Sequence, residues 1–329
     1  MLILSADDVR KALPMRDAIE AMKSAYVALS SGKADVPLRT RISIPTQSAA
    51  SLFMPAYVRI ADTEALAVKV VSLFPENPKN GLAFIQAAVL VLDAGTGRVI
   101  ALLEGSSLTA IRTGAGSGAA IDLLARKEAE TVAIFGAGVQ ARTQLEAACT
   151  VRKINTVWIF DSDRQKAEEF VQTMAGRGPI PSKIQVAPTS KMAIEDADII
   201  CTATTSLEPV FADVDLKPGT HISAIGSYTP EMQEVPAETI QRAKVFVDSR
   251  SAVLAESGDL IKPIKSGLIT EAHIQAELGE IQAGVKPGRL SEIEITYFKS
   301  VGIAVQDAVA ADLAVRNASR LNLGQEITF

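Results

Sequence analysis

Hydrophobic and polar positions follow two different rhythms along this chain. Between residues 15 and 30, Ile19, Met22, Ala25, Tyr26 and Leu29 recur at helical spacing on one face, and Gly32 follows as a helix-ending glycine. Just upstream, Ser5-x-x-Asp8 reads as a capping box that opens a short helix. Apolar, β-rich runs then follow at 39–44, 51–54, 66–74, 87–93 and 99–104, with Asp93-Ala-Gly-Thr-Gly97 as a hairpin turn between the last two. Strands with no helix between them predict an antiparallel or mixed sheet. Residues 106–126 predict a long helix capped by Ser106 or Ser107. From residue 131 the rhythm changes: apolar runs at 132–135, 156–160, 184–187, 199–203, 221–225 and 245–248 alternate with helical stretches at 140–150, 164–174 and 191–196. That alternation predicts a doubly wound parallel sheet. Residues 291–320 read as a closing helical segment, and no internal repeat is evident.

The run 132–135 enters Gly136-x-Gly138-x-x-Ala141 and a helix begins directly after it. Strand, glycine turn and helix in that order form a dinucleotide-binding fingerprint. Gly136 permits the tight turn, Gly138 admits a pyrophosphate close to the backbone, and Ala141 allows the helix to pack against the strand. The helix N-terminus presents free N–H groups to the phosphates. Asp161 closes the next strand, 23 residues after Gly138. There it suits the ribose hydroxyls of NAD and opposes the 2′-phosphate of NADP, although Arg164 nearby leaves NADP(H) open.

Composition narrows the setting. The chain has 329 residues, enough for one or two domains, and its 48% hydrophobic and 22% charged content is that of a globular protein. A net charge of −5 with no basic block argues against nucleic acid or an anionic membrane as partner. No uncharged run reaches the length of a membrane span, and the first residues lack the pattern of a signal peptide, so a cytoplasmic location is expected. Cys149 and Cys201 lie in apolar stretches and are expected as buried thiols. The two histidines, His221 and His273, have no metal-ligand spacing, and no metal is expected.

A nucleotide domain needs a second surface to hold substrate. The first third offers cations among apolar neighbours: Arg41 in Arg-Ile-Ser-Ile, Lys69 in Val-Lys-Val-Val, and Arg112 in Ala-Ile-Arg-Thr-Gly. A guanidinium grips a carboxylate with two hydrogen bonds. A lysine removed from water is a candidate for a lowered pKa and for proton transfer.

Five stretches carry a resemblance over nearly the whole chain: 52–56 Leu-Phe-Met-Pro-Ala, 68–71 Val-Lys-Val-Val, 108–115 Leu-Thr-Ala-Ile-Arg-Thr-Gly-Ala, 134–141 Ile-Phe-Gly-Ala-Gly-Val-Gln-Ala, and 296–307 Thr-Tyr-Phe-Lys-Ser-Val-Gly-Ile-Ala-Val-Gln-Asp. The chain resembles the ornithine cyclodeaminase/mu-crystallin family. The resemblance implies an α/β architecture in which a Rossmann dinucleotide-binding domain, 113–303, is inserted into a second α+β domain for substrate binding and dimerisation, 1–112 with 304–329. It implies a homodimer with the active site in the interdomain cleft. It places Arg41, Lys69 and Arg112 at the substrate. Around the cofactor it places Gly138, Val139, Gln140, Asp161, Thr202 and Ser300, with Thr113 near the phosphates; Gly136 of the turn, Gly226 just past a strand end and Arg112 are expected there as well.

Two departures bear on the reaction. Where the cyclodeaminases carry a glutamate for the distal amine, this chain has Leu52, which cannot offset the desolvation of an ammonium. Where they carry a basic aspartate, it has Tyr228, a poor base at neutral pH with a pKa near ~10. Glu231 is the one nearby substitute. The expected activity is therefore NAD(P)H-dependent reduction of a small cyclic imine carboxylate, Δ1-pyrroline-2-carboxylate or Δ1-piperideine-2-carboxylate, to L-proline or L-pipecolate. Arg41 and Arg112 would hold the carboxylate, Lys69 would orient the substrate and relay a proton, and Tyr228 would bond the ring nitrogen or a water. L-alanine dehydrogenase, ornithine cyclodeaminase and a non-catalytic NAD(P)H-binding protein are the alternatives.

Overall fold

The computed structural model describes residues 1–60 and 63–328. Phe329, the end of the expected returning segment, lies outside them. Two compact units emerge, Met1–Arg112 with Ile303–Phe329, and Thr113–Gly302.

The first unit opens with β1 (Leu2–Leu4), α1 (Ala6–Ala12) and α2 (Met15–Ser30). Ser5 and Asp8 form the capping box reciprocally, each side chain taking the other's backbone N–H. The strands are β2 (Ala34–Asp35), β3 (Thr40–Ile44), β4 (Ala49–Ile60), β5 (Thr63–Leu73), β6 (Ile85–Leu92) and β7 (Val99–Glu104). They extend the expected runs: β4 is 12 residues long, because Pro55 lies inside it and the alternation of buried and half-buried residues continues through it. Strands β3 to β7 pair antiparallel, and β1 joins β7 in parallel. The long helix is α3 (Gly105–Leu124). Its first turn is capped by the Glu104 carboxylate, which accepts from the amides of Ser106 and Ser107. The serine cap expected from the sequence is thus corrected, an anion at the positive end of the helix being the stronger partner.

In the second unit β8 (Thr131–Phe135), α4 (Val139–Val151), β9 (Thr156–Phe160), α5 (Arg164–Met174), β10 (Ile184–Val186), α6 (Ser190–Ile194) and β11 (Ile199–Thr202) alternate. They continue into β12 (His221–Ala224), α7 (Ala237–Arg242), β13 (Lys244–Val247), α8 (Arg250–Glu256), α9 (Gly258–Lys265), β14 (Ile274–Glu277), α10 (Leu278–Gln282) and β15 (Thr296–Lys299). All eight strands run parallel, in the order β10-β9-β8-β11-β12-β15-β13-β14. This is the Rossmann arrangement.

One expectation fails here. The stretch 291–320 is not continuous helix: Thr296 to Lys299 forms a strand between β12 and β13, and helix α11 occupies only Ala304–Leu321, followed by β16 (Gln325–Glu326). All four residues of β15 are buried, and a run buried on both faces carries no period by which strand and helix can be told apart.

Helix α11 belongs to the first unit, where it packs with α2 over one face of the sheet. In the second unit His221 is buried between the Thr296 and Ser223 hydroxyls, and burial with the Arg289 charge keeps its pKa well below the ordinary histidine range. Cys149 and Cys201 are free and buried, and burial pushes both thiols up to about 12. No helix among the described residues is long and apolar enough to cross a membrane.

Candidate functional site

Candidate functional residues occur in each unit. In the first, Lys69 sits in the middle of β5 opposite Met54 on one side and Val89 on the other, on the sheet face that α11 covers. It is 2% exposed. Its Nζ forms an ion pair with Oδ2 of Asp307 on α11 at 2.6 Å, both side chains being buried. Arg112, also buried, donates Nε to Oδ1 of the same carboxylate at 2.8 Å and Nη1 to Gln306 Oε1 at 3.1 Å. Gln306 is held by the Ile303 amide and donates to Tyr26 Oη. Burial and the Arg112 charge bring the Lys69 pKa down to about 7, against the pull of Asp307, and the Arg39 charge adds to the lowering. Burial works to raise the Asp307 carboxyl, but Arg112 and Lys69 overrule it and hold it below the usual carboxylate range.

Arg41 is exposed, and it pairs with Leu52, two residues along β4 from the partner of Lys69. The charge of Arg39, which is half-buried, adds to the lowering of the Lys69 pKa. Arg39 and Arg41 share a strand parity, so periodicity alone does not choose between them. Nothing local marks Asp307 in the sequence: it lies in a helix among alanines and valines, 195 positions from Arg112.

In the second unit the glycine turn is built as expected. Gly136 has φ +90°, and a Cβ there would run into the Ala203 carbonyl. Gly138 is the N-cap of α4 with no side-chain cap, and a Cβ there would meet nothing within 4 Å. The protein's own packing therefore does not require glycine at 138; a group laid against that backbone would. The amides of the first turn of α4 lack intrahelical partners, Val139 is exposed, and Gln140 carries a buried Oε1 with no partner among the described residues. These features fit a dinucleotide pyrophosphate. Asp161 accepts from the Ala137 amide through Oδ2 and from the Asp163 amide through Oδ1, which fixes the carboxylate at the strand end with lone pairs to spare for ribose hydroxyls. The Arg164 guanidinium is paired with Glu168 on its own helix. We therefore expect NADH to be preferred, and Asp161→Ser to raise the NADPH to NADH ratio of kcat/KM by roughly 10-fold or more, one charge-assisted contact being worth about 1.5–3 kcal/mol. Kinetics with both cofactors check this; an unchanged ratio counts against the role of Asp161.

The remaining cofactor candidates are engaged by the protein itself. Thr202 Oγ1, the amides of Gly226 and Ser227, and the Thr204 amide and hydroxyl all donate to the buried carboxylate of Glu234. Gly226 is glycine because a Cβ would strike the Thr204 carbonyl and Glu234 itself. The Ser300 hydroxyl donates to Asp248, which also takes the Val301 and Gly302 amides. Thr113 is half-buried on α3 and its carbonyl accepts from Gln144. Tyr228 is half-buried in the loop after β12. Glu231 is exposed and kept ionised by its hydrogen bond from Thr229, so it does not stand in as a buried base. Among the described residues no group of three or more His, Cys, Asp and Glu could hold a metal ion.

A parallel sheet with this glycine turn and strand-end acid, in a chain whose other unit carries buried cations, defines a nicotinamide-linked oxidoreductase. Residues 1–321 match the model of the ornithine cyclodeaminase/mu-crystallin family, and the chain belongs to that family. It is 41% identical over 330 residues to a Delta(1)-pyrroline-2-carboxylate reductase of Bacillus cereus, with all of both chains covered. The structure of Thermococcus litoralis Delta(1)-pyrroline-2-carboxylate reductase in complex with NADH and L-proline superimposes with a TM-score of 0.94 at 45% identity, covering 99% of this chain and 100% of that one. An archaeal alanine dehydrogenase dimer with bound NAD gives a TM-score of 0.91 at 32% identity, covering 100% and 99%.

Proposed function

We infer that this chain is an NAD(P)H-dependent reductase of Δ1-pyrroline-2-carboxylate, forming L-proline. The observation that carries the reading is the buried pair of cations, Lys69 and Arg112, held on the carboxylate of Asp307, with the half-buried Arg39 bearing on Lys69. Lys69 and Arg112 share one carboxylate, which leaves an excess of positive charge and suits a substrate that brings a carboxylate of its own. Leu52 is buried on the same sheet face, two residues from Met54, and offers no counter-charge to a distal ammonium. Asp307 is committed to two cations, and Glu231 faces solvent. A diamino acid that must expel ammonia finds no base matched to it, whereas imine reduction needs none.

The bound nicotinamide supplies a hydride to C2 of the ring. Gly138 and the first turn of α4 would hold its pyrophosphate, and Asp161 its ribose. Arg39 and Arg112 hold the substrate carboxylate and so orient the C=N bond. Lys69 Nζ gives a proton to the ring nitrogen as hydride reaches the carbon, so that C=N becomes CH–NH, and water restores the lysine proton.

The reading extends to a cytoplasmic homodimer. The sheet face opposite Lys69 presents Phe53, Val68, Val70, Leu90 and Leu102, all partly exposed, which a second copy would cover.

The decisive assay is purified protein with NADH and Δ1-pyrroline-2-carboxylate, followed by NADH absorbance, beside pyruvate with ammonia and ornithine alone. Turnover on the imine without added ammonia is expected; NADH oxidation only with pyruvate and ammonia would make the protein an alanine dehydrogenase instead. In the same assay Arg39→Ala should raise KM roughly 10–100-fold with little change in kcat, the loss of about 1.5–3 kcal/mol of uniform binding. Arg41→Ala should leave KM within about threefold, and the reverse pattern would return the clamp to Arg41.

A further inference from the structure

Helix α11 returns to the first unit after the whole of the second unit has been threaded, and its first turn brings Gln306 and Asp307 against Lys69 and Arg112. Both oxygens of Asp307 are used, Oδ2 by the ammonium and Oδ1 by the guanidinium. Gln306 fixes the other edge of that guanidinium and is itself fixed by Ile303 and Tyr26. Among the described residues, the charges shown to act on Lys69 are those of Asp307 from α11, Arg112 from α3 and Arg39 from the segment ahead of β3. Of these, Asp307 is the anion. Of the three cations, two are arginines that do not give up a proton in a protein, so any shortage of negative charge falls on the lysine.

We propose that Asp307 is a positioning residue for the reduction: it aims the Lys69 ammonium and supplies the counter-charge that keeps it protonated beside two arginines. This rests on the reading of Lys69 as proton donor and adds the residue on which that role depends. Asp307 touches neither substrate nor cofactor in this scheme. It is no base itself, because two cations hold it ionised.

The consequence is a pH profile. A lysine donor works in its protonated form, so kcat for reduction falls as pH rises through its pKa. Removing an opposite charge at contact distance lowers that pKa by about 1–3 units. The test compares full-length parent, Asp307→Asn, Asp307→Glu and Lys69→Met at saturating NADH and Δ1-pyrroline-2-carboxylate, with kcat measured from about pH 5 to about pH 9. Asp307→Asn is expected to move the midpoint of the falling limb down by about one unit or more, so that kcat drops roughly tenfold near pH 8 and recovers toward the parent in acid. Asp307→Glu, which restores the charge, is expected to keep the parent midpoint even where its kcat is lower. A loss in Asp307→Asn that is equal at every pH, or a midpoint that does not move, would overturn the proposal. Should Asp307→Asn fail to fold, Asp307→Glu decides: an unmoved midpoint supports the proposal and a shifted one refutes it. Lys69→Met separates this from the underlying reading. Parent-like turnover there removes Lys69 as donor, while an inactive Lys69→Met beside an unmoved Asp307→Asn midpoint removes only the role given to Asp307.

Discussion

Lys69→Met is expected to reduce kcat for imine reduction by roughly 10²–10⁴-fold, the range a positioned general acid contributes. Methionine keeps the length and apolar stem of the lysine but removes the proton and the charge. Asp307 keeps Arg112 as its partner in the variant, so no buried anion is stranded and the fold should hold. In the parent, the Lys69 pKa of about 7 sets the sign of the pH dependence. Below that value the lysine carries the proton the reaction needs. Above it the donor form declines, and kcat for reduction should fall about tenfold per pH unit. Proline oxidation needs the neutral lysine and should rise over the same interval. Steady-state kcat in both directions checks this, with a thermal melt to show that the variant is folded. A Lys69→Met enzyme that keeps more than about a tenth of parent kcat would exclude the lysine as proton donor.

The second large effect is expected at Glu234. Its carboxylate gathers five donors from the last residue of β11 and from the loops that follow β11 and β12, and lies in the company of Asp259 and Lys299. Burial raises its pKa, with Lys299 opposing and Asp259 adding to the rise. Glu234→Ala strands those donors without water to replace the acceptor. Breaking a buried network of this kind costs about 3–5 kcal/mol, which corresponds to a fall in Tm of roughly 6–20 °C for a unit of this size. Affinity for NADH should fall with it, since these loops lie at the carboxyl edge of the sheet, where nucleotides bind in such folds. Glu234→Gln keeps the shape but turns an NH2 toward amides that already donate, so partial rather than full recovery is expected. Calorimetry and NADH titration provide the readout. An alanine variant that melts within about 2 °C of the parent would show that the loops hold their shape without the carboxylate.

Neither Glu234 nor Asp307 stood out along the chain, whereas the glycine turn did, and the contrast has a physical origin. Gly136 and Gly138 act through backbone geometry set by their immediate neighbours, so a strand, a turn and a helix in sequence suffice to reveal them. The Ser5–Asp8 capping box is equally local and forms as read. Thr202, Gly226 and Ser300 donate hydrogen bonds to Glu234 and Asp248, partners that lie beyond their own turns in sequence. A carboxylate that organises loops from several strands has no spacing of its own to betray it.

The order of apolar and polar residues, with glycines at two turns and an acid at one strand end, was enough to specify a parallel nucleotide-binding sheet, a mostly antiparallel sheet before it, and lysine and arginine in apolar surroundings. Local rules of turn, cap and periodicity decide such features, and those rules act over a few residues. Folding alone decided that β15 completes the sheet, that the Arg39 charge bears on Lys69, and that an aspartate near the end of the chain supplies an anion to Lys69 and Arg112. Each of these depends on residues far apart in sequence meeting inside a low-dielectric interior, where one charge sets the protonation of another only because distance and burial have been fixed by the whole fold.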